Sequence, residues 1–221
     1  MPKGVLLSNA NISHNVDAIE RAVRLNDHDT VLGILPFFHS FGYAVTLWAV
    51  MSLGPRGVYH FNPLDARQVG KLAEKYKATV LLATPTFLRG YLRRITPEQF
   101  ANLDVVVVGA EKMPADLFES FEKRFGVRPV EGYGTTELSP LASVNIPPSR
   151  SADDGTIDLK EGTVGKTIPM VEAKITDLDT GKVLGPGESG MLWIKGPNVM
   201  QGYFKRPDLT KEVVVDGWYK T

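Results

Sequence analysis

Cysteine is absent from the 221 residues. That removes disulfide frameworks, thiolate catalysis and cysteine-based zinc sites together, and it fits a reducing compartment. Any metal would fall to His and carboxylates. Net charge is absent too: Lys+Arg 25 balance Asp+Glu 25, so no long-range field gathers phosphate backbones or anionic lipid, and nucleic acid is not an expected partner. Long hydrophobic runs are also missing. The most apolar stretch, residues 41–53, is interrupted by Gly42, Thr46 and Ser52 and falls short of the roughly 20 apolar residues of a membrane span. It reads as a buried helix, and no membrane span is expected. No basic segment followed by an apolar one opens the chain, so no secretory signal is visible. The expected location is the cytoplasm, any membrane association being left to other parts of a longer protein. Both ends look cut, Met1-Pro2-Lys3-Gly4 starting at the edge of a loop and Gly217-Trp218-Tyr219-Lys220-Thr221 stopping on an aromatic pair.

What is present is an alternation of two hydrophobic periods. Ile12, Val16, Ile19 and Val23 recur at helical spacing behind the possible cap Asn9, and residues 30–35 form a β-prone run. Residues 56–61 read as a strand. Asp65, with Gln68 three residues on, resembles a capping box before Val69, Leu72, Ala73 and Tyr76. Residues 79–83 and 104–108 are continuous apolar runs, the pattern of strands buried on both faces, with a helix over 85–93 between them. Pro114 opens another helix, where proline costs little, with Leu117, Phe118, Phe121 and Phe125 facing inward, and residues 128–131 end the series. Strands alternating with helices at these lengths predict an α/β fold, a mostly parallel sheet covered by helices on both faces.

The pattern changes after Asn145. Pro147, Pro148, Ser149, Ser151, Asp153, Asp154 and Gly155 make a polar, breaker-rich segment, followed by short strands over 172–176 and 190–195 separated by Asp179-Thr180-Gly181 and Gly185-Pro186-Gly187. The expected organisation is an α/β subdomain over 1–146 and a smaller, mostly-β subdomain over 147–221.

Ligands of open parallel sheets bind beyond the carboxyl ends of the strands. Two such ends are rich in small residues. Gly109-Ala110-Glu111 follows one buried run, and Glu131-Gly132-Tyr133-Gly134-Thr135-Thr136-Glu137 follows another. The second combines glycines for backbone access, an aromatic face for a base, two hydroxyls for phosphate oxygens and a carboxylate for a hard cation. Each residue singly also fits an ordinary turn with Glu137 in solvent. The ordered set fits a nucleotide with magnesium. Gly165-Lys166-Thr167 imitates the end of a phosphate-binding P-loop, but the glycine required five positions earlier is Lys160. His39, in Pro36-Phe37-Phe38-His39-Ser40-Phe41-Gly42, lies just after a strand and reads either as a group facing the cleft or as a hydrogen-bonded histidine among aromatics. His14, His28 and His60 are scattered singly.

Four segments resemble, in order, the signature blocks of the adenylate-forming enzymes: Pro2-Lys3-Gly4-Val5, the block from Pro36 to Gly42, the segment from Glu131 to Glu137, and Gly217-Trp218-Tyr219-Lys220-Thr221. Within that superfamily, Ser139-Pro140, Val144-Asn145-Ile146-Pro147 and Gly196-Pro197-Asn198-Val199-Met200-Gln201-Gly202-Tyr203 look most like long-chain acyl-CoA synthetases. They look particularly like the acyl-acyl-carrier-protein synthetase part of 2-acylglycerophosphoethanolamine acyltransferases. The resemblance implies a fatty acid and ATP as substrates, Mg2+ as cofactor and CoA or acyl carrier protein as thiol acceptor. It implies that Gly109, Ala110 and Glu111 line adenine, that Tyr133 stacks on the base, and that Glu131, Gly132, Gly134 and Thr135 also belong to the ATP-binding set. Thr136 would bond the α-phosphate, Glu137 would hold magnesium, and His39 with Phe41 would border the acyl site.

In that family the Pro-Lys-Gly block follows a Ser/Thr/Gly-rich loop that wraps pyrophosphate, Tyr-Lys-Thr precedes a ribose-binding Gly-Asp, and a mobile C-terminal domain carries a catalytic lysine. The chain therefore reads as the middle part of the large N-terminal domain, inactive by itself. Two alternatives remain at this level. One is an adenylation domain for amino or aryl acids, although Phe37, Phe38 and His39 stand where amino-acid activators place an Asp for the substrate ammonium. The other is a nucleotide- or acyl-binding segment without turnover.

Overall fold

The computed structural model describes residues 3–152 and 158–221; Pro2 of the first signature block, and Asp153, Asp154 and Gly155 of the breaker-rich segment, lie outside the described residues. Along the chain run β1 (Val5–Leu6), α1 (Asn9–Val23), β2 (Thr30–Gly33), a π-helix (Gly42–Trp48) continuing into α2 (Ala49–Leu53), β3 (Arg56–Tyr59), α3 (Ala66–Tyr76) and β4 (Val80–Ala83). There follow α4 (Pro85–Arg94), β5 (Val105–Val108), α5 (Ala115–Phe125), β6 (Val130–Gly134), β7 (Leu141–Val144), β8 (Lys166–Thr167) and β9 (Glu172–Thr176). The chain closes with β10 (Met191–Lys195), β11 (Gly202–Tyr203), α6 (Pro207–Val213), β12 (Val214–Val215) and β13 (Trp218–Lys220).

Seven strands form the main sheet in the order β3-β2-β4-β5-β6-β7-β8. The pairings from β3 through β6 are parallel, while β7 and β8 join antiparallel. The parallel part follows from its composition: every residue of β2, β4 and β5 is buried, because helices cover both faces and leave no face for polar side chains. Alternation then assigns the faces. Val80, Leu82, Val105 and Val107 pack in one core with α1 and the π-helix, and Leu81, Ala83, Val106 and Val108 pack in the other with α3, α4 and α5. The second core is closed by Phe100, Phe121 and Phe125, whose ring centroids lie 4.7 to 6.3 Å apart. A smaller antiparallel sheet, β12-β13-β10-β9, and the pair β1-β11 complete the topology.

Several expectations are corrected in detail. The N-cap of α1 is Ser8, whose hydroxyl accepts from Asn11 N while the Asn11 side chain accepts from Ser8 N at 2.8 Å; Asn9 is the first helical residue. Asp65 caps α3 by accepting from Gln68 N, so the cap runs from Asp65 alone. The stretch over 41–53 is helical, but it begins as a π-helix and only its inner face is buried. Ala44, Val45 and Ala49 pack inward, while Tyr43, Trp48 and Met51 are exposed. Gly165-Lys166-Thr167, no P-loop, reads from the sequence as a turn or strand entry, and that reading holds: a left-handed Gly165, φ 80°, turns into the edge strand β8. The boundary expected at 146/147 falls within the connection between β7 and β8 of one sheet. Among the described residues no helix is long and apolar enough to cross a membrane.

Candidate functional site

The parallel strands end on one side of the sheet, and their carboxyl ends frame a pocket. It is lined by His39, Ser40 and Phe41 from the segment after β2, by Val107 to Ala110 at the end of β5, by Gly132 to Thr135 of β6 and its turn, and by Pro140 and Leu141. Two of its walls depend on unusual backbone. Ala110 is held at φ 67°, a left-handed conformation that costs a residue with a Cβ of order 1 kcal/mol and concentrates at ligand sites. Gly134 admits no side chain, because a Cβ there would run into the Pro140 carbonyl; the strand thus bends at a bulge between Tyr133 and Gly134 and turns back toward β7.

The loop after β6 is held by buried polar groups from distant segments. Asn15, fully buried on α1, accepts from Leu141 N at 2.8 Å, and its amide donates to Leu138 O and Leu141 O. Asn198, also fully buried, donates to Leu141 O at 2.9 Å, and Ser139 donates to Asn198 O at 2.8 Å. Asn15 uses both ends of its amide, as a buried amide must because leaving one unpaired in the interior costs about 1 to 3 kcal/mol, whereas Asn198 uses only its nitrogen, its Oδ1 having no partner among the described residues. The loop between them presents its polar atoms in sequence. Thr135 Oγ1 is shielded from solvent without a partner among the described residues. Thr136 Oγ1 lies 3.1 Å from Ser40 Oγ. Glu137 Oε1 accepts from the Tyr203 hydroxyl at 2.7 Å. Burial first, then the hydrogen bond to Glu137 and its charge, push the Tyr203 phenol well above its usual value, so it stays a proton donor. Tyr219 is raised as well, by burial and then by the Glu137 charge.

His39 is exposed, and its Nδ1 accepts from Phe41 N at 3.2 Å. A neutral imidazole accepting at Nδ1 carries its proton on Nε2, so this bond sets the tautomer. The unpartnered Thr135 hydroxyl beside Thr136 and Glu137 fits a divalent cation shared with a phosphate. Magnesium takes one or two protein carboxylates and completes its octahedron with water and substrate phosphates, and among the described residues no cluster of three His, Asp or Glu offers an all-protein cage.

Of the residues singled out in the sequence, His39, Phe41, Gly109, Ala110, Gly132, Tyr133, Gly134 and Thr135 meet in this pocket, with Thr136 and Glu137 on the adjoining turn. Two do not line it. Glu131 is buried and accepts from Met113 N at 3.2 Å, bracing the loop after β5. Glu111 is exposed and accepts from Thr86 at 2.7 Å. Ser40 and Tyr203 escaped the sequence reading as site residues. Ser40 adjoins His39 and could have been drawn in with it; nothing local in Gly202-Tyr203 points to Glu137.

Comparison with known proteins agrees with this geometry. A family model described as AMP-binding enzyme matches residues 1–204. A long-chain-fatty-acid–CoA ligase of Salmonella typhimurium is 32% identical over 224 residues, 99% of this chain and 38% of that protein. A probable 4-coumarate–CoA ligase of Dictyostelium discoideum is 36% identical over 229 residues, 99% of this chain and 39% of that protein. The ATP-bound crystal structure of MatB from Rhodopseudomonas palustris superposes with a TM-score of 0.87 at 30% identity, covering 99% of this chain and 42% of that one. The chain thus spans well under half the length of the relatives it matches. With the strand order, the pocket at the strand ends and a match over most of its residues in agreement, the chain belongs to the AMP-binding, adenylate-forming enzyme family.

Proposed function

We propose that this chain supplies the adenine wall and acyl pocket of an ATP-dependent acid–thiol ligase whose acid is a fatty acid. One observation carries the choice of acid. Beside the strand-end pocket, whose polar groups come from His39, Ser40, Tyr133 and Thr135, lies a second cavity that shares Phe41, Val107 and Leu141 with it and is lined throughout by apolar side chains, among them Ile19, Val45 and Val80. A carboxylate held in the first pocket would send an alkyl chain into the second, where each buried CH2 gains about 0.8 kcal/mol. An ammonium group would find no partner there.

In the first step a carboxylate oxygen attacks the α-phosphorus of ATP, the bond to pyrophosphate breaks, and acyl-adenylate forms. In the second a thiol, that of CoA as in the named relatives, or of acyl carrier protein, attacks the acyl carbonyl and releases AMP. Phosphoryl transfer of this kind depends on positioning and on stabilising developing charge. Tyr133 presents its ring to adenine, and the backbone at Gly109 and Ala110 borders the base. The Thr136 hydroxyl donates to an α-phosphate oxygen. His39 offers its Nε2 proton to the reacting carboxylate, and Phe41 borders both cavities. Glu137 would hold magnesium, which would supply positive charge against the phosphates. None of the described residues lining the pocket is Lys or Arg, so the triphosphate must draw its cationic partners from elsewhere, and the 221-residue chain alone is expected not to form adenylate.

The 36% identity to a probable 4-coumarate–CoA ligase favours one second reading, an aryl acid. Acid-dependent ATP–pyrophosphate exchange in the natural full-length protein tests both. Exchange with C12 to C18 acids, followed by thioester formation on CoA or on acyl carrier protein, is the expected result. Exchange with cinnamic acids alone would transfer the assignment to aryl acids, and exchange with neither would end it.

A further inference from the structure

Glu137 sits on a turn of three residues, Thr136–Leu138, too short to hold a long side chain by itself. Its placement comes from the segment over 196–203, which lies alongside. Met200 N donates to Glu137 O at 2.8 Å, Ser139 donates to Asn198 O, and Asn198 donates to Leu141 O. The same segment is tied to the first residues of the chain: Asn11 donates to Pro197 O at 2.7 Å and to Val199 O at 3.0 Å, and β11 pairs antiparallel with β1. At the end of this clamp Tyr203, 4% exposed, reaches back to the carboxylate.

The direction of its hydrogen bond is fixed by chemistry. Lys3 Nζ lies 3.2 Å from the Tyr203 hydroxyl and 4.6 Å from the centre of its ring. An ammonium has three donors and no acceptor, and a carboxylate has only acceptors. The hydroxyl therefore accepts from Lys3 and gives its proton to Glu137 Oε1, 2.7 Å away. We propose that Tyr203 is a positioning residue for Glu137, occupying Oε1 so that the carboxylate offers a divalent cation the single oxygen Oε2. The inference rests on the assignment of Glu137 as a metal ligand given above, and it adds a selectivity. One-oxygen ligation suits the octahedron of Mg2+, whereas Ca2+ also takes carboxylates through both oxygens. Tyr203 thus biases the site toward the smaller ion.

The test is nucleotide-dependent Mn2+ binding to the natural full-length protein, read by electron paramagnetic resonance, with Mg2+ and Ca2+ as competitors. Wild type, Tyr203→Phe, Lys3→Met and Glu137→Gln are compared beside their melting temperatures. Tyr203→Phe keeps the ring and removes the bond. It should weaken Mn2+ and Mg2+ binding about 10-fold, the lower end of the effect of residues that orient metal ligands, and Ca2+ should compete better relative to Mg2+. Lys3→Met should shift both in the same direction by about 3-fold, and it stands in if Tyr203→Phe fails to fold. Unchanged Mn2+ affinity, or equal losses for Mg2+ and Ca2+ alongside a lower melting temperature, would overturn the role of Tyr203. A wild type without nucleotide-dependent Mn2+ binding, or a Glu137→Gln variant that binds like wild type, would instead overturn the metal assignment beneath it.

Discussion

The two ends of the parallel sheet solve opposite problems. At the carboxyl end the chain turns through small residues, a left-handed Ala110 and a loop whose Thr135 hydroxyl has no partner among the described residues. At the amino end the starts of β2 and β5 are tied together by charge. Asp29, 4% exposed before β2, accepts from Thr79 at 2.8 Å and from Asn26 N at 3.1 Å. Arg150 enters from beyond β7, giving Nη2 to Asp29 at 2.7 Å, Nε to Asp104 at 2.7 Å and Nη1 to Arg24 O at 3.0 Å. The Asp29–Arg150–Asp104 group at the amino end is satisfied within the protein, whereas the carboxyl end keeps a buried hydroxyl unpartnered among the described residues. The contrast separates residues whose loss should cost stability from residues whose loss should cost turnover.

The sharpest way to break the contrast is at Glu137. Glu137→Gln keeps the shape and removes the charge, so adenylate formation in the natural full-length protein should fall about 100- to 1,000-fold, the scale of losing one pre-organised electrostatic partner. The melting temperature should hold within about 2 °C, as for a substitution that costs little stability. Arg150→Ala should do the reverse. Removing one side of a buried ion pair strands the other, at a cost of about 3 kcal/mol, measurable by urea denaturation, while the KM for ATP of the folded protein stays unchanged. A loss of turnover without loss of stability would show that the two ends are coupled.

Acid sharpens the same comparison. Burial alone would raise Asp29, but the hydrogen bonds from Arg150, Thr79 and Asn26 outweigh it and hold the carboxyl below its usual value. A carboxylate depressed in the folded state stabilises at any pH above its unfolded value, and that stability is lost as pH falls toward the folded one. Urea midpoints should therefore drop below the ordinary carboxylate range in the wild type and drop less in Arg150→Ala. The smallest effect belongs to the base. Tyr133→Ala should raise the KM for ATP about 10-fold, in line with roughly 1 to 3 kcal/mol per stacked base, and leave kcat at saturating ATP nearly intact.

How far the sequence disclosed this differs between the same two ends. The Val105–Val108 strand and its neighbours were legible because burial on both faces demands unbroken apolar runs. That the segment from Tyr133 to Glu137 lies at a carboxyl end was legible because it directly follows a buried run. β7 and β8 were not, since Leu141–Val144 is only four residues long and is interrupted by Ser143, and β8 is two residues long. Nor was the π-helix, whose wider bonding pattern has no residue signature. The helix start shifted from Asn9 to Ser8 because two adjacent residues can both cap, and only Ser8 exchanges bonds with Asn11. Arg150 and Tyr203 act on partners far away in sequence, Asp29 and Glu137, and no local pattern encodes such a pairing.

The β1–β11 pairing, which sets Val5 opposite Tyr203, bears on how the protein acquires its structure. Each βαβ unit closes over short distances, so the pocket walls at the end of β5 and β6 need only neighbouring segments. Seating Glu137 requires the first residues of the chain to meet residues near 200. Contacts of such separation form slowly because chain entropy must be lost before they contribute. During refolding, burial of the Val105–Val108 core should precede the fluorescence change that reports Tyr203 docking, and a nascent chain would possess its strand-end pocket before Glu137 is seated.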